Sequence, residues 1–163
     1  MLPGLLNVAA SVAIGVMTPS PKQVVLGCLA GLAIALLLVG MVSGTVLRHV
    51  VQILPILVAL GVVSRRPESG AFAALPLFLF WLLIVLLIWL YLLGLSRIAS
   101  GHYTRIEVAS TFLMMVCSVL GVIGCLRLGR GLRVAGRVLV FLLFAAMQIG
   151  AMRLSFLDSI VNR

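Results

Sequence analysis

The chain has 163 residues, 64% of them apolar and 9% charged, with twelve Lys and Arg against three acids for a net charge of +9. A soluble globular domain carries roughly 45–50% apolar and about 25% charged residues, so this composition excludes one, and it leaves too little polar chain for a folded head on either side of a bilayer. The basic excess would suggest nucleic acid in a soluble protein; here no nucleic-acid partner is expected, because basic side chains at helix ends meet anionic lipid headgroups at about 1 kcal/mol each.

Residues 1–21 hold no charged side chain. The apolar run from Leu2 to Met17 spans roughly 24 Å as a helix at 1.5 Å per residue, short of the roughly 30 Å of hydrocarbon. It lacks the basic start of a secretory signal, and it is expected as a short apolar segment in or near the interface. Thr18-Pro19-Ser20-Pro21 is expected to end it, since proline disfavours helix before it and donates no backbone hydrogen bond.

Residues 24–47 and 50–63 are apolar on either side of Arg48-His49. Ser43-Gly44 carries the turn signal, and a break there gives two spans of equal length. Residues 24–63 are therefore expected as a helical hairpin, in preference to a re-entrant segment. Arg48 would lie one turn inside the second helix and snorkel to the interface. Ser64-Arg65-Arg66-Pro67-Glu68-Ser69-Gly70 reads as a polar loop. From Ala71 to Leu95 no side chain is charged at neutral pH, the strongest crossing, with Pro76 near its first turn and Trp89 and Tyr91 at the far headgroup level.

Thr104-Arg105-Ile106-Glu107 matches the capping box, so a helix is expected to start at Thr104 and run to Leu126. A last span occupies residues 134–152 with Arg137 at its start. Leu154, Leu157, Ile160 and Val161 recur at helical spacing, which predicts a short amphipathic tail over 153–163. The fold class is all-α: a single transmembrane domain, residues 1–163, of about five crossings, three of them in 71–152, with four or six if residues 50–63 or 2–17 behave otherwise.

If residues 71–95 and 104–126 both cross, their outer flanks share a side that holds Arg65, Arg66, Arg127, Arg130, Arg133 and Arg137, against Arg97 and Arg105 between them. The positive-inside bias then places loops 64–70 and 127–137 in the cytoplasm and the C-terminus opposite, as in a bacterial inner membrane.

Small residues four apart allow close backbone approach. Gly27 and Gly31, then Gly40 and Gly44, form such pairs in the first long helix, and Ala146 and Gly150 in the last. Gly31 and Gly40 are separated by roughly 900° at about 100° per residue, so this helix is expected to pack on two opposite sides, against its own neighbours or another subunit. Gly44 does not serve both as turn and as packing position.

Chemistry-bearing residues are few. Arg127, Arg130, Arg133 and Arg137 alternate with glycine, suiting anionic lipid or phosphate, though without a Walker lysine. Gln52, Ser110, Thr111 and Gln148 would hydrogen-bond between helices or line a narrow polar pathway. Glu107 reads as the partner of Thr104 in a helix cap. Cys28, Cys117 and Cys125 read as packing residues, and His49 and His102 are isolated, so neither metal nor cofactor is expected. Three scattered acids form no general acid–base pair, which argues against an enzyme. The expected role is a non-catalytic structural or assembly subunit, joined to other membrane subunits or to itself. The alternatives are a channel or transporter component and a lipid-interacting sensor using loop 127–137.

Overall fold

Ser20 opens the first helix. Its hydroxyl accepts the Gln23 backbone N–H at 3.3 Å while the Gln23 side-chain oxygen accepts the Ser20 N–H at 2.9 Å, satisfying two donors that a helix start leaves free. Pro21 takes the first helical position, where a missing N–H costs nothing. The Pro-rich run expected as a helix stop thus includes a helix start, three residues before Val24.

The computed structural model describes residues 19–95, 104–128 and 133–157. They form α1 (Pro21–Val42), α2 (Val46–Arg65), α3 (Pro67–Leu92), α4 (Arg105–Leu128) and α5 (Val134–Leu154). All five are long and apolar enough to cross a membrane, and no strand occurs among the described residues. Away from their ends and from proline, helices satisfy their backbone donors and acceptors internally, as lipid requires. The apolar run from Leu2 to Met17, Arg130 and the tail beyond Leu157 lie outside the described residues.

The break between α1 and α2 falls at Ser43-Gly44, where Gly44 adopts φ +70°, a conformation that costs glycine little. The Ser43 hydroxyl donates to the Val39 carbonyl at 2.8 Å and lies 2.6 Å from the Thr45 hydroxyl, so the turn's polar groups are used locally. Farther on, α3 starts at Pro67 rather than at Ala71. Pro67 therefore holds the permissive first turn, and Pro76 is buried well inside the helix, where it leaves the Phe72 carbonyl without its usual donor.

Four helices close a ring in which α1 packs on α2, α2 on α3, α3 on α4 and α4 back on α1, with slight contact of α1 and α3 across the middle. α5 lies outside the ring against α3 and α2. Only 11% of its apolar span is buried, against 33% to 44% for the other four, so α5 is the flank of the molecule. Ends pair consistently. At one end the Lys22 ammonium donates to the Ser64 carbonyl at 2.9 Å and the Arg137 guanidinium lies 5.4 Å from the Phe72 ring centre. At the other end the Trp89 and Phe112 rings meet at 6.5 Å.

Glycine sets how closely these helices approach. A Cβ at Gly31 would stand 2.8 Å from the Cys117 sulfur of α4, and one at Gly40 would stand 3.0 Å from the His49 ring of α2. The two opposite faces of α1 are therefore both occupied, by different helices. Gly121 and Gly124 of α4 receive the Phe78 ring and the Val25 side chain, and Gly70 lies against the Val63 backbone. By contrast, nothing stands within 4 Å of a Cβ built at Gly27, Gly44 or Gly150, and Ala146 is exposed.

Two substitutions separate these classes. Gly70→Ala is expected to destabilise the bundle by about 1–3 kcal/mol through overpacking against backbone. Gly61→Ala, in open space within α2, should be neutral or stabilising by up to about 1 kcal/mol. Thermal unfolding in a mild detergent reads both.

Candidate functional site, a polar cleft between the helices

All five helices contribute to a partly open cleft of about 400 Å³ at the end of the molecule that carries the α1–α2 turn. Its rim is built by Ser43, Thr45, Arg48, His49 and Glu107, and its depth by Leu36, Gln52, Trp81, Thr111, Met114 and Met152. Ser43 and Leu36, Thr45 and Gln52, Ile88 and Trp81, and Glu107 and Met114 each stand two turns apart on their helices. The cleft therefore reaches about 10 Å into the apolar layer at 1.5 Å per residue. Its volume lies within the roughly 300–1,000 Å³ of small-ligand pockets.

Local structure aims each rim group. Thr45 caps α2 in position, and its carbonyl accepts a hydrogen bond from His49 Nδ1 at 3.0 Å, with the Thr45 hydroxyl 3.2 Å from the same nitrogen. A protonated Nδ1 leaves Nε2 as the acceptor of a neutral ring. Gly40 creates the space in which that ring sits.

Arg48, expected to snorkel, is half-buried and stacks on Phe156, the guanidinium carbon 3.7 Å from the ring centre. Stacking uses the face of the guanidinium and leaves its N–H edge available. Among the described residues Arg48 makes no hydrogen bond or ion pair.

Glu107 forms the cap that its spacing with Thr104 predicts. Its Oε2 accepts the Thr104 N–H at 2.7 Å and the Thr104 hydroxyl at 2.9 Å, while the Glu107 N–H donates to the Thr104 hydroxyl oxygen at 3.3 Å. One carboxylate oxygen is thus committed to the cap. Oε1 has no hydrogen-bond partner among the described residues, and the side chain lines the cleft.

Deeper in, Gln52 is 3% exposed and donates to the Ser155 hydroxyl at 2.8 Å and toward the Met152 sulfur at 3.3 Å. Ser155 in turn donates to the Met152 carbonyl at 2.7 Å. α5 ends at Leu154 and residues 155–157 form a turn; the amphipathic tail expected over 153–163 lies mostly outside the described residues. Thr111 donates to the Val108 carbonyl at 2.8 Å. Trp81 is 3% exposed, and its indole N–H has no partner among the described residues.

The residues expected to line one polar pathway are divided. Gln52 and Thr111 share the cleft, whereas Ser110 and Gln148 are not among the residues lining it. Gln148 is fully buried on α5, and neither amide atom has a partner among the described residues. Of the arginines of 127–137, the described Arg127, Arg133 and Arg137 stand at the opposite end. Arg127 and Arg133 are exposed and Arg137 is half-buried beside Phe72. No group of three or more His, Cys, Asp or Glu side chains suited to a metal occurs among the described residues. Arg48, His49, Trp81 and Ser155 are the site residues that spacing alone did not single out.

The fold and the cleft define a membrane-embedded all-α protein with a cationic and an anionic side chain at the mouth of a pocket. The chain matches no protein-family model, no curated protein and no solved structure.

Removing the unpaired Gln148 amide and removing the partner of the paired Gln52 amide are expected to have opposite effects. Gln148→Met removes an unpaired buried amide and should be neutral or stabilising. Ser155→Ala strips the oxygen partner from Gln52 and should cost about 1–3 kcal/mol. Thermal unfolding of both variants in the same detergent checks the contrast.

Proposed function

We propose that this is a non-catalytic multi-pass membrane protein that holds a small ligand in the cleft formed by its five helices. The observation that carries this reading is the convergence of Arg48, His49, Gln52 and Glu107 on one pocket of about 400 Å³. Convergent polar groups over an apolar interior are the usual features of a ligand site. Ionisable side chains facing a cavity at membrane depth are also more often functional than incidental. The protein as purified from its native membrane is expected to release a bound small molecule into organic extract. Thr111→Phe, which fills the cleft, should remove it. An extract with no such molecule, or one unchanged by Thr111→Phe, overturns the reading.

Positive-inside bias supports an orientation with Lys22, Arg65, Arg66, Arg127, Arg133 and Arg137 at the cytoplasmic face of a bacterial inner membrane. The opposite end has Arg48, Arg105 and Arg153, so the cleft would open on the far side. In a cysteine-free background, Leu95→Cys should react with an impermeant maleimide in intact cells, and Arg66→Cys only after permeabilisation. The reverse pattern overturns the orientation.

A structural or assembly role, in a membrane complex or a homo-oligomer, is a second reading, favoured by α5. Its outward face is largely uncovered, and Ala146 and Gly150 leave it smooth enough for close helix approach. Ala146→Cys is expected to cross-link to a protein neighbour in native membranes, and cross-linking only to lipid counts against assembly through this face.

A further inference from the structure

We infer that the occupant of the cleft is a zwitterionic amphiphile, a phospholipid whose headgroup joins a phosphate to a primary ammonium. The inference rests on the ligand-holding reading above and names its substrate class. Arg48 and Glu107 line one mouth, and each keeps a hydrogen-bonding edge unused by the described residues. The guanidinium edge matches a phosphate in a forked geometry, and the second carboxylate oxygen matches an ammonium. A simple anion would satisfy Arg48 and repel Glu107. A simple cation would do the reverse. One molecule bearing both charges answers both groups.

The depth of the cleft extends the match from headgroup to lipid. Below the charged mouth, Leu36, Met114 and Met152 give apolar walls, which favour an acyl chain over a free, fully polar zwitterion. Trp81 lies among them, 3% exposed, with an indole N–H that has no partner among the described residues. An ester carbonyl, the acceptor that follows the phosphate in a phospholipid, is the group such a donor would take.

The test uses the full chain, delipidated in mild detergent and loaded from mixed micelles with dioleoyl phosphatidylethanolamine or dioleoyl phosphatidylglycerol. Retained lipid is counted by native mass spectrometry. Wild type should retain the ethanolamine lipid about tenfold better than the glycerol lipid, the worth of one charge-assisted hydrogen bond. Glu107→Gln keeps the cap, since glutamine serves in a capping box, and should erase that preference. Arg48→Gln should lower retention of both lipids, and Arg48→Lys should restore part of it, separating loss of charge from loss of fold.

Equal retention of the two lipids by wild type, or a preference indifferent to Glu107→Gln, overturns the zwitterion while leaving a cleft ligand standing if Thr111→Phe still abolishes binding. Lipid retention indifferent to both Arg48→Gln and Thr111→Phe overturns the lipid and the cleft together. Displacement of the lipid by an equal concentration of free phosphoethanolamine overturns the choice of lipid over a soluble zwitterion.

Discussion

Lipid tails are as apolar as leucine, so nothing drives one greasy helix against another unless their surfaces fit more closely than lipid fits either. That constraint orders the whole bundle. The inner face of α4 is built from Ser110, Met114, Cys117, Ser118, Gly121, Gly124 and Cys125, mostly small side chains at a spacing of three and four. Against it come Phe78 from α3 and Val25 from α1, each filling space that a glycine leaves open. The three cysteines belong to the same seam, all outside disulfides and all buried. Their role there is size.

The cleft departs from this economy. Where the ring is packed by knobs into glycine notches, the end near the α1–α2 turn gathers Arg48, His49, Gln52 and Glu107 instead. Each is held by a neighbour: Phe156 beneath Arg48, Thr45 behind His49, Ser155 on Gln52 and Thr104 on Glu107. A polar group held in place within lipid carries a desolvation cost. Among the described residues these four polar side chains gather at one end, where the helices separate around a cleft of about 400 Å³.

What could be read from the sequence was local. Uncharged runs give the helices, Ser43-Gly44 gives the turn and Thr104 with Glu107 gives the cap, because each depends on residues within a few positions of one another. Glycine spacing identified Gly31 and Gly40 as places of close approach, but it treated Gly27 and Gly150 alike, since spacing says which surface is smooth and not which surface meets a neighbour. Gly121 and Gly124, only three apart, fell outside the four-residue pattern. With Cys117 and Cys125 counted as small, the seam would have been visible. The cleft was not legible, because its defining bond joins Gln52 to Ser155 across 103 positions, and no local pattern reports that encounter.

The bond between Gln52 and Ser155 also bears on how the molecule is made. α5 follows the four ring helices in the chain, so it is synthesised after them and docks on α2 and α3 last. Until it arrives, Gln52 lacks its hydroxyl partner, Arg48 lacks the Phe156 ring and the cleft lacks its Met152 wall. Synthesis and insertion therefore have a built-in order, in which the pocket is completed only by the arrival of the outermost helix.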